Sequence, residues 1–400
     1  MYNLSISYNV ALNDSGQQCQ IEGERSWCVH RSRFDRLEEK LRQNQIDHAL
    51  FTSQSNLRYF AGHTAGIESG PAPYSPVVGV LFVERGARPH LFLSGSDPAP
   101  EVYEEIAIER FPGYSYERPL QALFDLSERL VTLLKKLPRG RVGVESETCP
   151  AALLDELRGE CPHLQFAEMA PLAAGIRMTK DAEEIQILRE CCALCDAGQE
   201  VARSLARPGI TELDLFEEVR KAMEVKEGRR LPLPADLVSG PRTAGIGGSP
   251  SLRRIEPGDP IIIDLTPRHR GYWGDSCNTC VAGAPTADQR RIFIGVEEAL
   301  SEAIAHIRPG MRACELDTMV RKRMSELGGL FPHHSGHGIG VTRHEDPRIV
   351  PYNALPLQPG MVIAIEPGVY FKNAWGLRLE SVVLVTAYGA EVLSQFRHVI

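Results

Sequence analysis

No stretch of this chain approaches the roughly 20 consecutive apolar residues that a membrane-crossing helix needs, so a helical span is not expected. Excess positive charge is also missing. The formal net charge is −8, with both signs interspersed, which leaves no basic face for nucleic acid or anionic membrane. Low-complexity tracts are absent. The opening Met1-Tyr2-Asn3-Leu4-Ser5 lacks a cationic start and an apolar core, so no secretory signal is expected and a cytoplasmic location follows.

Cysteine is plentiful, but nothing in its pattern requires a disulfide framework. The 10 cysteines are Cys19, Cys28, Cys149, Cys161, Cys191, Cys192, Cys195, Cys277, Cys280 and Cys314. In a large chain without an export signal they read as reduced thiols. Two C-x-x-C pairs, Cys192/Cys195 and Cys277/Cys280, suggest a Cys-type zinc site. The second pair lies in a strand pattern, where such spacing sends the two thiols to opposite faces. Ordinary buried thiols are the expectation.

The C-terminal half carries Asp264, Asp275, His337, Glu366 and Glu380. Four carboxylates and an imidazole form a ligand mix suited to Mn²⁺, Co²⁺ or Zn²⁺. Asp264 ends the apolar run Ile261-Ile262-Ile263, and Asp275 follows the turn-prone Arg270-Gly271-Tyr272. A hairpin there places both carboxylates at one site. His337 lies among glycines in Ser335-Gly336-His337-Gly338-Ile339-Gly340, which permit close backbone approach. Glu366 caps the strand pattern Met361–Ile365, and Glu380 lies within the strand pattern Leu377–Val385. Any one such acid is ordinarily a surface pair or turn cap. Together, in this order, they argue for a metal site.

This order resembles the pita-bread metallopeptidase family, which includes methionine aminopeptidase, aminopeptidase P, prolidase and the metal-free creatinase. The resemblance rests on Ile263-Asp264-Leu265, Gly271-Tyr272 with Asp275, Gly336–Gly340 followed by His344-Glu345-Asp346-Pro347, Ile365–Tyr370 and Arg378-Leu379-Glu380. Upstream, Asn56-Leu57-Arg58-Tyr59-Phe60-Ala61-Gly62 resembles the N-terminal domain of the prolidase, aminopeptidase P and creatinase branch.

The resemblance implies two divalent metal ions, manganese first, with cobalt, zinc or iron compatible. Asp275 and Glu380 bridge both ions, Asp264 completes one shell, and His337 with Glu366 completes the other. A water activated by the metal pair then cleaves an amide bond, as in Xaa-Pro dipeptidases and aminopeptidases. Glu366 is the candidate for handling the water's proton, and His344 for bonding the substrate carbonyl or oxyanion. His333 matches a pocket-lining position, and Arg378 an arginine that supports the site. An exposed polar loop is the bland alternative for His333 and His344, and an ordinary salt bridge for Arg378. His334 reads as a surface residue. The family also implies a homodimer acting on a small peptide or other small molecule, with residues near Tyr59, Phe60 and His63 either as candidate contacts or, equally, packed within their own domain.

The 400 residues exceed one typical core and read as two domains. Residues 1–28 read as an irregular arm and 29–170 as an α/β domain of the creatinase-like kind, and the resemblance implies that 171–400 form a pita-bread domain of two α/β halves. A helix is predicted within Arg33–Gln45 after a cap at Ser32. Strands are predicted at Ala49–Phe51, Val77–Val83, His90–Leu93 and Arg141–Val144, with a helical stretch over Pro119–Lys136 and a link near Ala170-Pro171-Leu172. A long amphipathic helix follows Lys180-Asp181 to about Ala206, and others cover Ala287–Ile307 and Ala313–Leu327.

The departures from the family pattern bear on substrate. Gly247 stands where the peptidases carry a substrate-facing histidine, Thr266 where a glycine is usual, and Asn278 where an arginine precedes Thr279. None is a metal ligand. Two alternatives to a peptidase stand. One is a hydrolase or lyase of the same fold acting on a small nitrogenous or zwitterionic metabolite. The other is a catalytically silent interaction protein, which the full ligand set disfavours.

Overall fold

A computed structural model describes residues 18–64, 79–95, 102–113, 115–119 and 121–400, with backbone alone over 18–30. Helix α1 (Gln18–Gln43) leads into β1 (His48–Phe51), α2 (Gln54–Ala61), β2 (Val80–Glu84), β3 (His90–Ser94) and β4 (Ala107–Phe111). Then come α3 (Ala122–Leu134), β5 (Gly140–Val144), α4 (Ala151–Glu160) and β6 (Leu164–Glu168). The strands form one mixed sheet in the order β4-β3-β2-β1-β5-β6. Leu50, Phe82, Phe92 and Val142 pack against Leu126, Leu130 and Leu153 of α3 and α4. This is the α/β layer that alternating apolar runs imply.

Three expectations are corrected here. Helix α1 begins at Gln18, well before Ser32, so part of the arm placed at 1–28 is helical. A single glycine, Gly23, among helix-tolerant residues does not stop a helix. Residues 1–17 lie outside the described residues, as do Val77 and Val78 of the second strand. The supposed link at Ala170-Pro171-Leu172 is the first turn of α5 (Ala170–Arg177), where proline is tolerated because that N–H has no helical partner. Tyr59, Phe60 and His63, candidates for a dimer contact, are buried in their own chain.

The second unit repeats one plan twice. Helices α6 (Ala182–Leu205) and α7 (Glu212–Glu227) precede β7 (Ala235–Ser239), β8 (Pro260–Leu265), β9 (Arg268–His269), β10 (Tyr272–Trp273) and β11 (Ser276–Val281). Helices α8 (Ala287–His306) and α9 (Ala313–Glu326) precede β12 (Gly336–Gly338), β13 (Glu345–Ile349), β14 (Val362–Ile365), β15 (Gly368–Phe371), β16 (Trp375–Arg378), β17 (Ser381–Val385) and β18 (Ala390–Val392). The principal sheets run β11-β8-β7 and β13-β12-β14-β17-β18. Capping fixes the helix starts: Asp181 with Glu184, and Thr286 with Gln289, form reciprocal boxes, and Thr211 accepts the Asp214 N–H.

The two units share a core in which Leu37, Phe60 and Leu93 join Ile187, Val362 and Val382. Polar contacts cross the same junction. The Arg33 guanidinium bonds Asp181 at 2.7 Å and Glu183 at 3.1 Å, and Arg58 donates to the Arg270 carbonyl at 2.7 Å. No helix among the described residues is long and apolar enough to cross a membrane.

Candidate metal centre

Strands β8 and β11 are antiparallel neighbours, with Asp264 opposite Cys277. Asp275 precedes Cys277 on the same face, so both carboxylates emerge on one side of the hairpin. His337 lies at the middle of β12, opposite Ala364 of β14. A Cβ at Gly336 would lie 2.1 Å from the Ala364 carbonyl oxygen, and one at Gly338 2.3 Å from that of Asp346. Only glycine lets these strands close around the imidazole. Glu366 leaves β14 with its N–H on the Ser335 carbonyl at 3.0 Å.

Glu380 differs from the expectation of one continuous strand. Leu379 and Glu380 interrupt the run between β16 and β17, and the Glu380 N–H bonds the Cys277 carbonyl of β11 at 2.9 Å. That crossing bond leaves the strand and ties the two halves together beside the acids.

The ligating atoms of Asp275, His337 and Glu380 all lie within 4.8 Å of one another. His337 Nε2 is 3.5 Å from Asp275 Oδ2 and 3.6 Å from Glu366 Oε1. Its Nδ1 meets the Gly338 carbonyl at 2.9 Å. A carbonyl only accepts, so the ring hydrogen sits on Nδ1 and the Nε2 lone pair faces the carboxylates. Asp264 stands beside them, gripped by the Arg378 guanidinium at 2.5 Å.

The electrostatics point to missing positive charge. Burial pushes Asp275 and Glu380 well above the usual carboxylate range, and repulsion among the clustered acids pushes the same way. Burial also raises Asp264, against the pull of Arg378. Burial acts upward on Glu366 too, but the His334 hydrogen bond and the facing His337 and His333 rings outweigh it and hold Glu366 at about 2. Burial lowers His333 and His337 to about 4. His344, partly covered though exposed at the edge, falls to about 3, through that partial desolvation and then the neighbouring His337 and Arg343. Neutral imidazoles are what metal ligation requires. Among the described residues Glu380 Oε1 is buried with no hydrogen-bond partner, a costly state for a lone acceptor. Divalent cations would satisfy that oxygen and offset the crowded acids, so these residues fit a metal site.

The surrounding residues divide differently from the sequence reading. The His344 ring is exposed, but its centroid lies 4.2 Å from that of His337, at the edge of the cluster. His333 has both nitrogens engaged: Nδ1 donates to the His334 carbonyl at 2.8 Å, and Nε2 meets the Tyr370 hydroxyl at 3.0 Å. Arg378 is buried and donates to that hydroxyl at 2.9 Å and to the Ile246 carbonyl at 2.7 Å. The resulting order, Arg378 to Tyr370 to His333, fixes the wall of the site.

His334 corrects the expectation of a surface residue. Its Nε2 lies 2.7 Å from Glu366 Oε1, and its Nδ1 accepts from Arg348 at 3.3 Å. Its closeness in sequence to His337 was a usable signal. Tyr370 and Asp236 were also missed. Asp236 lies on β7 directly opposite Asp264, a neighbour only strand pairing reveals. Of the departures, Asn278 bonds His398 at 3.2 Å and Thr266 donates to the Pro234 carbonyl at 2.5 Å. Both are structural contacts.

Residues 186–387 match the model of metallopeptidase family M24, and residues 33–179 match the creatinase/prolidase N-terminal domain. A Xaa-Pro dipeptidase of Pyrococcus furiosus is 29% identical over 369 residues, 91% of this chain and 98% of that protein. The solved prolidase of Pyrococcus horikoshii superposes with a TM-score of 0.76 at 26% identity, over 92% of this chain and 99% of that one. A Xaa-Pro dipeptidase from Bacillus anthracis superposes with a TM-score of 0.79 at 25% identity, over 93% and 99%. With its pita-bread catalytic unit behind a creatinase-type N-terminal domain, the chain belongs to metallopeptidase family M24 and is a metal-dependent enzyme of peptidase type.

Proposed function

We propose that this enzyme is a dinuclear Xaa-Pro peptidase that cleaves the amide bond before proline in small peptides. The observation that carries the reading is the convergence of Asp275, His337 and Glu380 within 4.8 Å, with Asp264 and Glu366 beside them. The relatives named as Xaa-Pro dipeptidases support it. Asp264, Asp275, His337, Glu366 and Glu380 are the residues that would hold the ions, the four carboxylates offsetting their charge. Divalent ions, manganese by preference, would supply an acidified water and a polarised carbonyl when bound.

The chain's own residues do the rest. Glu366, held ionised by the facing imidazoles, accepts the proton of the attacking water and returns it to the leaving amine. His344, at the exposed edge of the cluster, donates to the developing oxyanion. His334 and Arg348 orient Glu366, while Arg378, Tyr370 and His333 hold the wall. Residues 29–170 and 171–400 are the proposed N-terminal and catalytic domains, with α1 extending the first back to Gln18. Among the described residues the free thiols, buried except for Cys314, support a reducing cytoplasm, and a homodimer is proposed.

A second reading, a small nitrogenous metabolite as substrate, is favoured by one observation: Gly247 offers no side chain to a substrate. Assaying the manganese-loaded protein on a Xaa-Pro dipeptide, a Xaa-Pro tripeptide and a panel of small amides and amidines separates the two. Turnover of the proline peptides well above the panel is expected. Turnover confined to the panel would contradict the peptidase proposal.

A further inference from the structure

The place of the missing histidine is not empty. A Cβ built on Gly247 would lie 1.9 Å from Oδ2 and 2.6 Å from Cγ of Asp236. The Asp236 carboxylate therefore fills the space a side chain at 247 would take. Gly247 belongs to a tight turn in which its N–H reaches back to the Gly245 carbonyl at 2.8 Å. Ile246, the middle residue, has φ of 71°, a conformation that costs a β-branched residue free energy. Arg378 holds the turn through the Ile246 carbonyl at 2.7 Å. The same turn walls a cavity of about 390 Å³ lined by Gly245, Ile246, Leu330, Pro332, Tyr370 and Lys372.

Asp236 faces the reaction site. It pairs in register with Asp264 on the adjacent strand, and cross-strand partners project to the same side of a sheet. Its side chain is 41% exposed and lies 3.8 Å from the Arg378 guanidinium, which already holds Asp264 at 2.5 Å. Among the described residues, nothing donates a hydrogen bond to its carboxylate. An anion so placed has acceptor capacity left for a ligand.

We propose that Asp236 determines substrate specificity by selecting peptides whose residue before the scissile bond carries a positively charged side chain, an ammonium or guanidinium group beyond the chain's own amino terminus. Where an imidazole offers a hydrogen-bond donor, this carboxylate offers only acceptors, and a cation is its complement. The proposal rests on the Xaa-Pro reading above.

The test compares Lys-Pro with norleucine-Pro on the manganese-loaded wild type and Asp236→Asn. The wild-type ratio of kcat/KM should favour Lys-Pro by about 10-fold, the effect of one charge-assisted contact. In Asp236→Asn the ratio should fall to about 1, with metal content near that of the wild type. A ratio that does not change on substitution overturns the proposal. So does an equal loss on both peptides with falling metal content, which would make Asp236 a support of the metal site. If neither peptide is cleaved by the wild type, the Xaa-Pro reading fails. The Asp236 proposal is then decided by calorimetry with uncleavable phosphinic isosteres of the two peptides: a lysine preference lost in Asp236→Asn supports it, and equal Kd values overturn it.

Discussion

At the scale of single residues, the site is governed by which atoms are left without partners. His337 donates from Nδ1 to the Gly338 carbonyl and so turns Nε2 towards Asp275, while Glu380 Oε1 is buried without a hydrogen-bond partner among the described residues. Glu380→Ala should therefore lose both metal and activity, measured by elemental analysis and turnover on a proline dipeptide. Full metal content would remove Glu380 from the ligand set. His344→Ala should keep its metal and lower kcat by a factor of about 10², because His344 lies at the exposed edge. An unchanged kcat would make it an ordinary loop residue. The acids and His337 were legible in the sequence because each sits at a strand end or between glycines. Asp236 was not: it becomes a neighbour of Asp264 only through the β7–β8 register.

At the scale of elements, helix α6 positions the hairpin that carries the first two acids. The buried Gln199 amide donates to the Ile263 carbonyl at 3.0 Å and the Ser276 carbonyl at 3.1 Å. Those residues adjoin Asp264 and Asp275. Gln199→Leu removes both bonds, and chemical denaturation should show a loss of about 2 kcal/mol, from two net contributions of about 1 kcal/mol each. Metal affinity should fall with it as the strands loosen. Unchanged stability and affinity would show that α6 merely packs against the hairpin. The start of α6 was readable from Lys180-Asp181, since capping is local chemistry. The break at Leu379-Glu380 was not, because it is imposed by the Cys277 carbonyl from the other half of the fold.

At the scale of the whole molecule, the two units are joined by a buried polar junction. Glu184 lies there, with burial raising it from 4.5 to about 7 against the pull of Arg33. The folded chain thus keeps this proton where the unfolded chain has released it. Folding stability should decline as pH rises from about 4.5 to about 7 and then level off, the sign expected when the folded state binds more protons. Glu184→Gln should flatten that decline by an amount on the order of 3 kcal/mol. Denaturant midpoints measured across this pH range check it, and parallel curves for wild type and variant would contradict it. The division into two units was legible from chain length and from the upstream motif. The shared core was not, because Phe60 and Val382 are far apart in sequence and meet only in the fold.

The central claim is that the clustered acids and His337 make this enzyme a dinuclear metallopeptidase. The most direct measurement is a titration of the chelator-treated protein with manganese, following bound metal and Xaa-Pro hydrolysis on the same samples. The account predicts no hydrolysis without metal and full activity at two ions per chain, with Asp275→Ala binding little metal and remaining inactive. Hydrolysis that persists without bound metal, or full loading of Asp275→Ala, would contradict it.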